Sequence, residues 1–386
     1  MKPALYLLLL LPLLLNGCSW FGSDDNSDPP AELKDFDKRV ELRRIWSRST
    51  GDGTDEQFLN LAPAVVGSRV YVADRDGSVW AVELEDGKTV WHTRTGLALS
   101  AGVGVGNIAG LALVGTSEGQ LAALDLETGE PRWQVDVSSE VLSVPQVVDG
   151  VVVVQTVDGN ITGLDAETGE RRWIHDRSVP VLTLRGSSTP LVQSGVALAG
   201  FASGKLVALD TASGRDLWEV PVAVARGRTE LQRIVDVDAN PVLKDGVLYS
   251  TSYQGQLVAI SLRNGQMLWK RDMSAYAGLA VDSSQVFVSD ASSDLWALDR
   301  RSGRALWKQD ALLHRSLTGP AVVDTYVGVG DFEGYVHVLS SIDGSIAGRT
   351  RVDSKGIAAA PVTVFGDRLL ILGAGGQLAL YQIEPV

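Results

Sequence analysis

The side chains that could do chemistry in this sequence are few and scattered. There is one Cys, at position 18, and there are four His, at 92, 175, 314 and 337. A single Cys excludes a disulfide framework and any Cys-rich metal site, and four dispersed His leave little for zinc or imidazole catalysis. His92 and His175 follow Trp91 and Trp173 by one and two residues, so surface positions on outer strands account for them. His337 falls in a strand slot filled elsewhere by Trp80, Ala122 or Val207, which points to packing. Asp125, Asp165, Asp210 and Asp299 recur at one turn position, where hydrogen bonds inside a hairpin explain them better than a metal or an acid/base pair. Gly102-Val-Gly104-Val-Gly106 has the glycines of a phosphate loop without the G-x-G-x-x-G spacing, and no helix follows it. The chain carries 34 Lys and Arg against 47 Asp and Glu, a formal charge of −13, which argues against nucleic acid as a partner.

The cysteine matters because of where it lies. Met1-Lys2 leads into a nearly pure Leu run from Ala4 to Leu15. That is the length of a signal-peptide hydrophobic region and short of the roughly 20 residues a spanning helix needs. Leu15-Asn16-Gly17-Cys18 then resembles the bacterial lipobox, in which a Cys becomes the lipidated first residue of the mature chain. Residues 1–17 are thus expected to be a cleaved signal peptide and Cys18 the lipidation site. Ser19, where an Asp would favour the inner membrane, implies the inner leaflet of the outer membrane and a protein facing the periplasm. More than one acyl chain gives stable anchoring. Residues 18–37 are polar, acidic and Pro-containing, which predicts a flexible tether.

The bulk of the chain is a repeat. The stretch from Gly77 to Trp91 recurs from Gly119 to Trp133, Gly159 to Trp173, Gly204 to Trp218, Gly255 to Trp269 and Ser293 to Trp307. A seventh copy, Gly334 to Gly348, has Gly in place of the last Trp. Ten residues into every copy stands a Gly (87, 129, 169, 214, 265, 303 and 344) preceded by a turn-forming residue. That pattern marks a tight hairpin with a position of positive φ. Between the two glycines, positions such as Leu121 and Leu124 are an odd number apart and point to opposite faces, so this strand is apolar on both sides. Two further apolar strands precede each motif, the first opened by Pro in six copies: 63, 145, 190, 241, 320 and 361.

Four antiparallel strands in each unit of about 40–50 residues are the signature of a β-propeller blade. An eighth Gly, at 376, starts a strand, but the chain ends at Val386 before a fourth strand can follow. Val40 to Ser47, with Trp46 at the repeat's Trp position, supplies the missing strand. The expected fold is all-β: an eight-bladed β-propeller over residues 38–386, its ring closed by pairing the N- and C-terminal strands in the last blade.

Departures from the repeat indicate where function resides. Trp133 and Pro145 enclose 11 residues, whereas Trp46 and Pro63 enclose 16, Trp173 and Pro190 16, and Trp218 and Pro241 22. The last two precede consecutive blades and must be neighbours on one rim. The first holds Val179-Pro-Val-Leu182-Thr-Leu184-Arg185-Gly186; the second holds Arg226-Gly-Arg228 and Asp236-Val-Asp238. Apolar anchors beside Arg and carboxylates suit a protein-binding patch, and Leu182 and Leu184 would equally suit a plug for the channel mouth.

The blades resemble those of pyrroloquinoline-quinone dehydrogenases, which share the eight-bladed Gly…Asp…Thr-Gly…Trp pattern. Those enzymes use a vicinal Cys pair and a calcium held by carboxylate and Asn side chains, and this mature chain has only Cys18, so no cofactor is expected. The lipobox, the repeat type and the strings Leu182-Thr-Leu-Arg-Gly186 and Asp236-Val-Asp238 together resemble the BamB family over essentially the whole chain. These are propeller lipoproteins of the outer-membrane β-barrel assembly machinery. The resemblance implies a non-catalytic scaffold in which Leu182, Leu184, Arg185, Asp236 and Asp238 dock onto a periplasmic POTRA domain of BamA. It also implies the other Bam lipoproteins as partners and unfolded outer-membrane proteins as clients. The alternatives are a quinoprotein dehydrogenase and a periplasmic propeller that binds a ligand in its central channel.

Overall fold

The computed structural model describes residues 28–386 except 56, 58, 185 and 187. The expected signal peptide, Cys18, Ser19 and Arg185 lie outside the described residues. Eight four-stranded antiparallel sheets follow one another along the chain. Blade one is typical: Ala64–Val66, Arg69–Ala73, Ser78–Glu83 and Thr89–Arg94, in that spatial order. Blade eight is assembled from both ends. Val362–Val364, Arg368–Leu372 and Gln377–Pro385 are completed by Val40–Ser49, which pairs antiparallel with Gln377–Pro385. The expected eight blades and the expected closure are both present.

The repeated Trp and Gly are the two halves of one joint. Gly129 has φ +74°, and a Cβ there would lie 2.5 Å from the Trp91 ring of the preceding blade. The Trp91 indole N–H donates to the Leu126 carbonyl of that same hairpin, 3.0 Å away. Gly214 with Trp173 and Gly344 with Trp307 repeat the contact at 2.5 Å. The hairpin Gly thus serves both its own turn and a neighbour's indole. Gly348 breaks the series because blade eight has no such hairpin. Its two ends instead run on as a ladder to Val40↔Pro385, and Val40 and Leu42 fill the space a seventh-blade Trp would need.

The core lies between blades. Leu113, Leu121 and Ala123 of blade two pack with Val152, Val154 and Leu164 of blade three, all at most 2% exposed. Within a meander of this kind, connections between blades and loops between second and third strands share one face, here the loop face. The remaining hairpins share the other, the hairpin face.

Two findings differ from the sequence reading. The segment up to residue 37, expected to be a loose tether, is held against the wall from Ala31 onward. Ala31 N–H donates to Leu313 O at 2.9 Å, Arg315 Nη1 donates to Ala31 O at 3.0 Å, and the Arg349 guanidinium stands 4.9 Å over the Phe36 ring. Leu33 packs onto the apolar cluster between blades six and seven. The chain therefore arrives at the loop face between these blades and runs down the wall to Val40. Second, His337 does more than fill space. It is fully buried, accepts from Arg349 Nε at Nδ1 (3.0 Å) and faces Asp331 Oδ2 through Nε2 (2.9 Å). Asp331 also pairs with buried Arg315 at 2.8 Å, so each charge in this interior cluster has a partner. The same two arginines reach out to hold the strap.

Candidate docking site

The connection from blade three to blade four spans 176–190, and that from blade four to blade five spans 222–241. Both lie on the loop face. The root of the first is pinned by Arg177, whose guanidinium reaches Glu219 at 2.5 Å and Asp216 at 3.0 Å on the outer strand of blade four. Further along, the two loops bind each other. The Leu184 N–H donates to the Asp236 carboxylate, and the Thr189 N–H donates to Asn240 Oδ1 at 2.7 Å. Gly186 lies so close that a Cβ there would be 3.0 Å from the Asp238 carboxyl carbon.

The Asp236-Val-Asp238 string is fixed by its backbone. Val237 N–H donates to Phe201 O at 3.3 Å, and Asp236 O accepts from Tyr253 N–H at 2.9 Å. Val141 and Val157 make the equivalent bonds to Thr116 O and Glu140 O two blades earlier, so this part of the long loop still follows the repeat. By that register, Asp238 takes the slot that Leu142, 3% exposed, fills with an apolar side chain.

The structure sorts the sequence candidates by accessibility. Leu182 is 38% exposed. Leu184 is half-buried and lines a cleft of about 270 Å³ together with Val157, Val179 and Phe201. Asp236 is only 1% exposed, so it is a positioning residue for the first loop and not itself a contact surface. Asp238 is half-buried beside it. Sequence reasoning missed three side chains: Val181 at 95% exposure on the first loop, and Val224 and Leu231 at 66% and 67% on the second. Their signal was the same one that marked Leu182, an apolar residue within an otherwise polar connection.

Both carboxyls are pushed upward by burial: Asp236 to about 6, partly offset by the Leu184 amide, and Asp238 to about 7, with the Asp236 charge adding to the rise. A carboxyl raised above its usual 3.8 holds its proton more tightly folded than unfolded. The stability it contributes is complete below the unfolded value and is lost as pH rises through the folded one. The loop pair should therefore loosen as pH rises from about 4 to about 7. Asp238→Asn is expected to reduce this slope to the part that Asp236 contributes, raising Tm at the alkaline end by about 2 °C and leaving the acid end unchanged. Thermal scans at the two pH values check this; a wild-type slope in the variant would contradict it.

Comparison with known proteins places the chain. The family described as outer membrane protein assembly factor BamB matches residues 43–99 and 75–309. A relative of that name from Pseudomonas aeruginosa is 46% identical over 377 residues, covering 98% of each chain. One from Escherichia coli is 37% identical over 380 residues, covering 96% of each. The crystal structure of BamB from Moraxella catarrhalis superposes with a TM-score of 0.81 at 31% identity, covering 89% of this chain and all of that one. A quinohemoprotein alcohol dehydrogenase from Pseudomonas putida superposes at 0.70 with 16% identity, a likeness of fold alone. With identity of this level along nearly its whole length, the chain belongs to the BamB family of outer-membrane protein assembly factors.

Proposed function

We propose that this chain is a non-catalytic scaffold lipoprotein, anchored through Cys18 in the outer membrane and facing the periplasm, that docks on a POTRA domain of BamA. The observation that carries the docking is the pair of mutually bound loops, 176–190 and 222–241, which present Val181, Leu182, Val224 and Leu231 to solvent on one face. Side chains of this kind, held by a buried carboxylate and not free to collapse inward, form a preorganised patch. Arg185, in the same loop, supplies a cation for an acidic partner. The mechanism needs no bond-making step. By holding BamA's periplasmic arm in one geometry, a rigid disc lowers the entropy cost of presenting barrel strands at the insertion site.

A pull-down of the wild-type lipoprotein from detergent-solubilised outer membrane tests the reading. BamA and the other Bam lipoproteins are expected in the eluate. Their absence, with the propeller folded, would reject it.

A further inference from the structure

The outer wall of the propeller is divided into halves of opposite charge. On blade two, the last hairpin and outer strand carry Asp125, Glu127, Glu130 and Asp136 against Arg132. Blade four carries Asp210, Asp216 and Glu219 against Arg215. Blades five and six reverse the sign. Blade five has Arg263, Lys270 and Arg271 against Asp272, and blade six has Arg300, Arg301, Arg304 and Lys308 against Asp299 and Asp310. The closing strand Val40–Ser49 continues the basic side with Arg43, Arg44 and Arg48 against Glu41.

The residue before the outer-strand Trp varies from blade to blade. In blades two and three it is Arg132 or Arg172, each neutralised by an Asp of its own hairpin. In blades four, five and six it is Leu217, Leu268 or Leu306, 52%, 51% and 52% exposed; two residues later blade four has Glu219, whereas blades five and six have an exposed lysine, Lys270 or Lys308. Lys308 also reaches Asp294 at 2.6 Å. Arg263, Lys270 and Arg301 make no ion pair among the described residues. Leu268 and Leu306 thus stand on strands that carry more basic than acidic side chains, on a chain of net charge −13.

The strap meets the disc at this same place. Ala31 is bound between blades six and seven, in the middle of the basic half. The 13 residues from Cys18 to Ala31 can extend at most about 45 Å. An acyl anchor at Cys18 thus lets the basic wall reach the bilayer with the strap still bound between blades six and seven.

We propose that the outer wall of blades five and six rests on an anionic phospholipid surface, with Lys270, Arg263, Arg301 and Arg304 over the headgroups and Leu268 and Leu306 at the interface. This rests on the reading of Cys18 as acylated. Basic side chains gain from an anionic leaflet within a Debye length, and partly inserted apolar side chains add to that. The disc then stands on edge, and its loop face looks sideways along the membrane.

The test uses the mature acylated protein in vesicles of phosphatidylcholine alone or mixed with phosphatidylglycerol, with amide hydrogen exchange as readout. Exchange in Met267–Asp272 and Ala305–Gln309 is expected to slow by about tenfold only with phosphatidylglycerol, to recover at high salt, and to stay constant in Pro131–Asp136. The combined Lys270→Glu, Arg301→Glu and Arg304→Glu variant, altered only at exposed positions, should remain folded and vesicle-bound yet lose this protection. Equal exchange in both lipids, equal protection of blades two and five, or protection that requires added BamA would each overturn the proposal. The mass of the N-terminal peptide separately reports acylation of Cys18. Were that reading to fail, flotation of the non-acylated chain with phosphatidylglycerol vesicles still decides the wall: no flotation rejects it.

Discussion

Leu182→Glu is expected to abolish co-purification of BamA from solubilised outer membranes while leaving the melting temperature of the propeller within about 1 °C of wild type. The side chain is 38% exposed and belongs to none of the apolar clusters between blades, so folding does not depend on it. At the centre of an interface the same change leaves a carboxylate unpaired in an apolar contact. Truncating such an anchor alone costs about 2 kcal/mol or more, roughly thirtyfold in affinity, and an unpaired buried charge adds to this. Val181→Glu, at a position 95% exposed on the same loop, should act in the same direction. Arg185→Glu should do so through charge reversal. The control is Ile108→Glu, as fully exposed as Val181 but on the hairpin between the first two strands of blade two, on the opposite face. Retained BamA with Leu182→Glu, or equal loss with Ile108→Glu, would remove the loop pair from the docking surface.

The second large effect concerns closure of the ring. Trp46→Ala should destabilise the propeller by about 3–5 kcal/mol, the usual range for emptying a buried Trp site. Trp46 is 9% exposed, packs on Gly87 of blade one and donates its indole N–H to Leu84 O at 2.8 Å. It sits on the strand that pairs the N-terminus with Gln377–Pro385, so it links the one blade made of two chain ends to its neighbour. Denaturant unfolding followed by far-UV circular dichroism reads the loss as a lowered midpoint. A loss below about 1 kcal/mol would mean that the joint carries little of the closure. Gly87→Ala probes the same joint from the other side, because at φ +71° the added Cβ would lie 2.8 Å from the Trp46 ring.

Both effects were legible to different degrees. The pairing of Trp46 with blade one follows from counting: seven copies of a Gly-to-Trp unit, an eighth begun at Gly376, and a Trp at the far end of the chain. The two candidate loops were legible from length, adjacency and content together, since connections of 16 and 22 residues before consecutive blades, against 11 between Trp133 and Pro145, combine apolar residues with Arg and Asp. The roles within the loops were not. Asp236 reads in sequence as a solvent-facing carboxylate, yet its side chain is spent on the Leu184 amide. Val224 and Leu231 drew no reading from the sequence, yet they are 66% and 67% exposed.

The division has a physical cause. Strand alternation, turn glycines and a Trp at fixed spacing are local patterns, and repeated seven times they determined the fold class, the blade number and the closure without any coordinates. Irregular loops lack such a period, so their burial depends on what neighbouring blades bring to them. The Tyr253 amide from blade five and the Phe201 carbonyl from blade four draw Asp236 and Val237 inward. The strap is the same case at longer range: Arg315 and Arg349 lie about 300 residues from the backbone they hold, at |i−j| of 284 and 315. Only closure of the ring places residues 31–42 beside blades six and seven, and so only the tertiary structure decided where the N-terminal segment meets the basic half of the wall.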